Sequence, residues 1–140
     1  MALKKLIILA LIAIVVLVGI YFVNEYFRKP ADMTDQKEAL MVSAEEMAQQ
    51  FELNEASANK QYLGKIILVK GIVSDMSSLQ DSTLNLLIGT GLHNISCQMD
   101  KRHQQLVRQI QNGDQVAVRG ICVGYLMDVQ LNRCVLIKNQ

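Results

Sequence analysis

Hydrophobic positions fall into three regimes along this chain. Leu6 to Val23 is one apolar run, eighteen residues without a charge or an amide. Met47 and Phe51, with Leu40 before them, then lie near one helical face. From Lys65 onward the apolar period drops from about 3.6 to 2, the change from helix to strand.

The middle regime predicts a helical lead over residues 37–64. Ser43 followed by Glu46 has the spacing of a capping box, so a helix is expected from Ala44 to Leu53. Asn54 can cap a second short helix through Ala58 to Tyr62, which Gly64 ends.

The last regime predicts strands. "KIILVKGIVSDM" is rich in β-branched residues, and Gly71 in its middle suggests a bulge or sharp coil. "TLNLLIG" puts Leu84, Leu86 and Ile88 on one face. "LHNISCQMD" puts Ile95, Cys97 and Met99 inward and Asn94, Ser96 and Gln98 outward. "KRHQQLVRQI" reads as a short amphipathic helix with Asp100 as N-cap. "QVAVRGICV" carries Val116, Val118, Gly120 and Cys122 in one phase, and the final strand changes phase around Asn132–Arg133, as a bulge would make it do. The order β-β-β-α-β-β over residues 65–140 is that of a five-stranded OB-fold Greek-key barrel, so the chain is expected to be mainly β. An SH3-like barrel gives no reason for a helix after the third strand.

At about 1.5 Å per residue the apolar run spans roughly 27 Å, close to the ~30 Å hydrocarbon core of a bilayer. Tyr21, Phe22, Tyr26 and Phe27 cluster at its far end, where amphipathic rings favour the interface. A cleaved signal would have a shorter run and small residues after it, whereas this one ends Gly-Ile-Tyr-Phe-Val-Asn. The expectation is a single transmembrane helix at residues 6–27, a cytoplasmic N-terminus at 1–5 and a linker at 28–36. A short basic N-terminus, with Lys4 and Lys5, sends the remainder out of the cytoplasm. That makes the chain a single-pass membrane protein whose C-terminal domain is expected outside the cytoplasm.

"NEASANKQYLGKIILVKGIV" (Asn54 to Val73) and "GDQVAVRGICVGYLMDVQLNRCVLI" (Gly113 to Ile137) resemble the tRNA-anti-like OB-fold family of bacterial envelope proteins. The resemblance covers roughly Leu40 to Lys138 and implies a small OB-fold behind a signal or anchor. The family name refers to likeness with anticodon-binding domains and does not establish tRNA binding. Lipoprotein members carry a lipid-attachment Cys after the apolar run, whereas the first Cys here is Cys97. That departure shifts anchoring to a transmembrane helix.

Charge changes the picture little. The formal net charge is +1, and from Lys37 onward ten Lys/Arg face ten Asp/Glu, so no electrostatic footprint for nucleic acid stands out. A single-stranded nucleic-acid site would want exposed aromatics and basic residues on the second and third barrel strands. Those strands hold neither, and Tyr125 is the only aromatic after Tyr62. No nucleophile elbow, zinc-protease or phosphate-loop motif occurs, and no cofactor is implied. The functional expectation is a membrane-anchored, non-enzymatic binding or assembly module that meets an envelope protein or polar ligand. The alternative is a single-stranded nucleic-acid or tRNA-type binding domain. Asn94, Ser96, Gln98 and Tyr125 are the candidate ligand face.

Three cysteines complete the chemistry. Zinc would want closer ligand spacing, and a redox pair would want C-x-x-C or an activating base. Two readings stay open for Cys122 and Cys134: packed thiols, or a disulfide. The disulfide would close a thirteen-residue loop, worth roughly 3 kcal/mol in an oxidising compartment. Cys97 reads as a buried small hydrophobe.

Overall fold

The structure, a computed structural model, describes residues 2–26 and 40–137. The chain divides into two compact units, Met1–Ala31 and Asp32–Gln140. The first holds one helix, α1 (Ala2–Tyr26), and its side chains from Leu11 to Val23 are exposed. Among the described residues no helix is long and apolar enough to cross a membrane. Backbone helix thus covers most of the span expected at 6–27, but a membrane crossing is not shown. The side chains of 6, 8–10 and 24–27, and the linker expected at 28–36, lie outside the described residues.

The second unit runs β1 (Leu40–Ser43), α2 (Ala44–Leu53), α3 (Glu55–Tyr62), β2 (Ile66–Ser78), β3 (Leu84–Ile88) and β4 (Ile95–Met99). A 3-10 turn at Lys101–His103 then leads into α4 (Gln104–Val107), followed by β5 (Gln115–Leu126) and β6 (Asp128–Leu136). The first half of β2, Ile66 to Ile72, pairs antiparallel with β5, and Val73 to Ser78 pairs with β3. This double use closes the order β2-β3-β4-β6-β5 into a five-stranded barrel, with β4 and β6 parallel. The expected OB-type barrel and its β-β-β-α-β-β order are therefore present.

Closure requires β2 to bend, and the register breaks between Val73 and Asp75, not at Gly71. Gly71 serves close packing instead. A Cβ there would stand 2.7 Å from Ile88 Cγ2 and 2.8 Å from Ala44 Cβ, so only glycine lets the start of α2 settle onto the barrel. The bulge expected at Asn132–Arg133 is present: Arg133 has φ 55° and the β5–β6 register shifts between Arg119 and Ile121. The expected helix after Asp100 is shorter than its sequence pattern, a 3-10 turn and one α-turn. Asp100 caps it by accepting from the Arg102 N–H at 2.9 Å.

The helical lead needs one correction. Leu40 to Ser43 is not helical but forms β1, parallel to β2 with Leu40 opposite Ile67. These four residues take the edge of β2 that β3 leaves uncovered, and no local pattern announces such a pairing. Leu40 is consequently off the face it was expected to share with Met47 and Phe51. Both helices start where their caps predict: Ser43 Oγ accepts from Glu46 N at 3.1 Å, and Asn54 Oδ1 from Ser57 N at 3.0 Å. Each such cap is worth about 1 kcal/mol. α2 buries Ala44, Met47, Ala48 and Phe51, while α3 buries Ala58 and Tyr62. The Tyr62 hydroxyl donates to Gln50 Oε1 at 2.8 Å and fastens α3 to α2.

Candidate binding face

The outer surface of β3, β4 and β6 is where the barrel presents hydrogen-bonding side chains. Strand alternation sends Leu84, Leu86, Ile88, Ile95, Cys97 and Met99 into the core, so the residues between them must face outward. Register then aligns those residues into two rows. One row is Ser77, Asn85 and Gln98; the other is Asp75, Leu87, Ser96 and Gln130. The rows are laced together: Asn85 Nδ2 donates to Ser96 Oγ at 3.1 Å, and Ser96 Oγ donates to Asn85 Oδ1 at 3.2 Å. Gln130 Nε2 donates to the Asp128 carbonyl at 3.2 Å. The result is a patch of three amides, two hydroxyls and Leu87 whose one charged member is Asp75; Asp75 and Ser77 at its rim are exposed and the rest are half-buried.

Rings gather at one end of the barrel, on the core side of the strands. Tyr125 stacks on Phe51 with centroids 5.5 Å apart and planes at 25°, and Phe51 in turn stacks on Tyr62 at 6.0 Å. His93 Nδ1 lies 2.8 Å from the Met127 carbonyl oxygen. A carbonyl only accepts, so Nδ1 carries the proton. The Tyr125 hydroxyl oxygen is 3.3 Å from the same nitrogen, and Nε2 is 3.7 Å from Glu52 Oε1. Beside them, Asp128 Oδ1 accepts from the Asn94 N–H at 2.8 Å. His93 and Asp128 thereby tie the β3–β4 loop to the tip of the β5–β6 hairpin. At the other end, Lys101 Nζ meets Asp81 Oδ2 at 3.0 Å across the β2–β3 turn. Hydrogen bonds from Thr83 and Lys101 lower the Asp81 carboxyl to about 2. Lys101, which flanks this face, is thus already matched by a carboxylate.

The profile of the tRNA_anti-like family matches residues 1–136. The chain belongs to the tRNA_anti-like family. Among solved structures it is similar to a candidate nucleic acid-binding lipoprotein from Klebsiella pneumoniae, at 19% identity and TM-score 0.62. That match covers 79% of this chain and 100% of the other. At that identity the likeness is one of fold. A candidate aspartyl-tRNA synthetase from Leishmania major matches at 11% identity and TM-score 0.48, over 80% of this chain and 23% of the other. Comparison with curated proteins found no match.

In this family member the four sequence-chosen residues separate into two groups. Ser96 and Gln98 lie on the amide face as expected. Asn94 sits at its edge with the side chain turned toward Gly89, where a Cβ would stand 2.7 Å from Asn94 Oδ1. Tyr125 is not on that face: it lies in β5 opposite the buried Val129 and packs against the core, with Phe51 covering one side of its ring. Asn85 and Gln130 join the site only through strand register, and His93 through its contact with the Met127 carbonyl oxygen. The signal for Asn85 was present, a lone amide at the outward phase of "TLNLLIG", but its partners on other strands cannot be read from spacing.

Cys122 and Cys134 are not joined. All three cysteines are free and buried. Cys122 lies opposite Leu131, and the bulge at Arg133 moves Cys134 onto the β4 side, opposite Met99, with its thiol beside that of Cys97. Burial raises the Cys122 thiol above its ordinary value. Burial, followed by the hydrogen bond with Cys97, raises Cys134 further. Neither is poised as a nucleophile.

Proposed function

We propose that this chain is a membrane-anchored, non-enzymatic module of the bacterial envelope, in which the barrel binds a polar, uncharged ligand or protein surface through the β3–β4–β6 face. The observation that carries this reading is the cross-strand patch of Asn85, Ser96, Gln98 and Gln130, half-buried and without a cation. Amides and hydroxyls at a partly desolvated surface select partners by hydrogen-bond geometry. The apolar run of Leu6–Val23 supports anchoring through residues 6–27, with the barrel on the periplasmic side.

Nucleic-acid binding is the rival that the fold raises. A phosphate backbone would meet Asp75 in the second row and find no lysine or arginine in β3 or β4. Base stacking would have to use Tyr125, one face of which Phe51 already covers.

The test is photo-crosslinking of full-length chain carrying a photoreactive residue at Gln98, alongside titration with single-stranded DNA and RNA. Capture of a discrete envelope component, lost in Asn85→Ala with Ser96→Ala, is the expected result. Oligonucleotide binding that weakens steeply with salt would sink it in favour of the nucleic-acid reading. Protease access to the barrel from the cytoplasmic side alone would overturn the periplasmic placement.

A further inference from the structure

The most exposed large apolar side chains of the barrel unit collect at one end. Leu92 is 94% exposed, Met127 82%, Leu126 79% and Leu53 76%. They come from three separate elements, yet their neighbours are bonded to one another. Glu52 meets His93, His93 meets the Met127 carbonyl, and the Asn94 N–H meets Asp128. The end of α2, the β3–β4 loop and the β5–β6 tip thus form one crown. Singly exposed apolar residues are ordinary, but such a cluster on an otherwise alternating barrel signals something that covers it.

Strand direction places the chain's entry at the same end. β5 is antiparallel to β2, with Ile121 opposite Ile66, so the start of β2 and the end of β5 share an end of the barrel. β1 is parallel to β2, with Leu40 opposite Ile67, and therefore begins there too. Its exposed Met41, at 68%, is next in rank after the crown residues. Thirteen residues, 27–39, separate α1 from β1, and a chain of that length reaches at most about 45 Å however it runs. If Leu6–Val23 lies in a bilayer, lipid is the one surface that is always within reach of this end.

We infer that the crown of Leu53, Leu92, Leu126 and Met127 docks into the bilayer interface and seats the barrel on the membrane by its β5–β6 tip. The inference rests on the anchor reading above. Residues 51–53, 92–94 and 125–128 contain no lysine or arginine. Docking therefore proceeds by apolar burial at the headgroup boundary and not by attraction to anionic lipid. In that pose the amide face stands as a wall rising from the membrane, open to a partner arriving along its surface.

The chain contains no Trp, so single tryptophans report depth without background. Full-length Leu92→Trp, Leu126→Trp, Gln111→Trp and Val15→Trp would be reconstituted separately into phosphatidylcholine vesicles, with and without brominated acyl chains. Gln111 precedes β5 at the opposite end of the barrel and is exposed. Leu92→Trp and Leu126→Trp should lose most of their emission to the brominated lipid, and Gln111→Trp should keep it. The quenching should be unchanged when phosphatidylglycerol or salt is added. Quenching of Val15→Trp alone overturns the crown and leaves the anchor standing. Quenching at the crown without Val15→Trp keeps the crown and removes the anchor. A blue shift at the crown without quenching assigns it to a protein partner or a second copy and overturns the lipid proposal, as does quenching at no position.

Discussion

A Cβ on Gly120 would stand 2.5 Å from the Cys134 Sγ, so β5 and β6 meet there with no room for a side chain on one of them. The seam is further closed by the Asn132 carbonyl oxygen at 3.2 Å. Gly120→Ala should therefore destabilise the barrel by about 1–3 kcal/mol through overpacking. Cys134→Ala removes the sulfur and should make the double variant more stable than the sum of the single losses predicts. Rescue should be incomplete, because the carbonyl remains. Urea unfolding of the four proteins measures this, and strictly additive losses would refute the contact.

The neighbouring thiols predict a pH dependence. Burial raises the Cys122 and Cys134 thiols above the ordinary 9.0, so the folded state holds them protonated while the unfolded chain ionises. Their contribution is fully present below pH 9.0 and is lost as pH rises beyond it. Unfolding midpoints should be level from neutrality to that point and fall above it, with a shallower fall in Cys134→Ala. Alkylation of native protein followed by non-reducing mass spectrometry should find three thiols that are masked when folded and labelled when unfolded. A Cys122–Cys134 bridge in that experiment would contradict the seam described here.

Cys134 also marks where sequence stops being informative. The inward phase of Ile95, Cys97 and Met99 was legible because a barrel strand has one dry face and a period of 2. The caps at Ser43 and Asn54 were legible because each acts within three residues. Which residue Cys134 faces depends on a bulge with Arg133 at φ 55° and on a parallel partner thirty-five positions earlier, Met99. β1 was invisible for the same reason, since four residues acquire strand structure only from the open edge of β2. The amide face lies between these cases. Ser96 and Gln98 follow from alternation, whereas Asn85 and Gln130 become their neighbours only through register.

The β2–β3 turn carries a testable carboxylate. Asp81 accepts from the Thr83 hydroxyl at 2.8 Å and its N–H at 3.1 Å, and pairs with Lys101. These partners lower its pKa from 3.8 to about 2, with the Thr83 hydroxyl the largest cause. A depressed carboxylate stabilises the fold above its unfolded value, and that contribution fades as pH falls from 3.8 toward about 2. Carboxyl NMR titration should place Asp81 well below the ordinary aspartate value of 3.8. Thr83→Val should raise it more than Lys101→Met does, and the opposite order would reverse the assignment of cause.

Phe51 links the helical lead to the barrel. Its ring is 1% exposed and lies between Tyr62 of α3 and Tyr125 of β5, stacked on both. Removing it should cost about 3–5 kcal/mol, the usual loss for a buried aromatic cut to alanine. The loss should also be local in its first effect, because the same ring holds α2 and α3 against the hairpin that carries Tyr125. Amide exchange in Phe51→Ala should therefore speed up in 44–62 before it does in β3 and β4. Phe51→Leu keeps most of the volume and should recover much of the stability without the stacking. Uniform acceleration across both regions would mean that lead and barrel unfold as one unit and that the stack is not the joint between them.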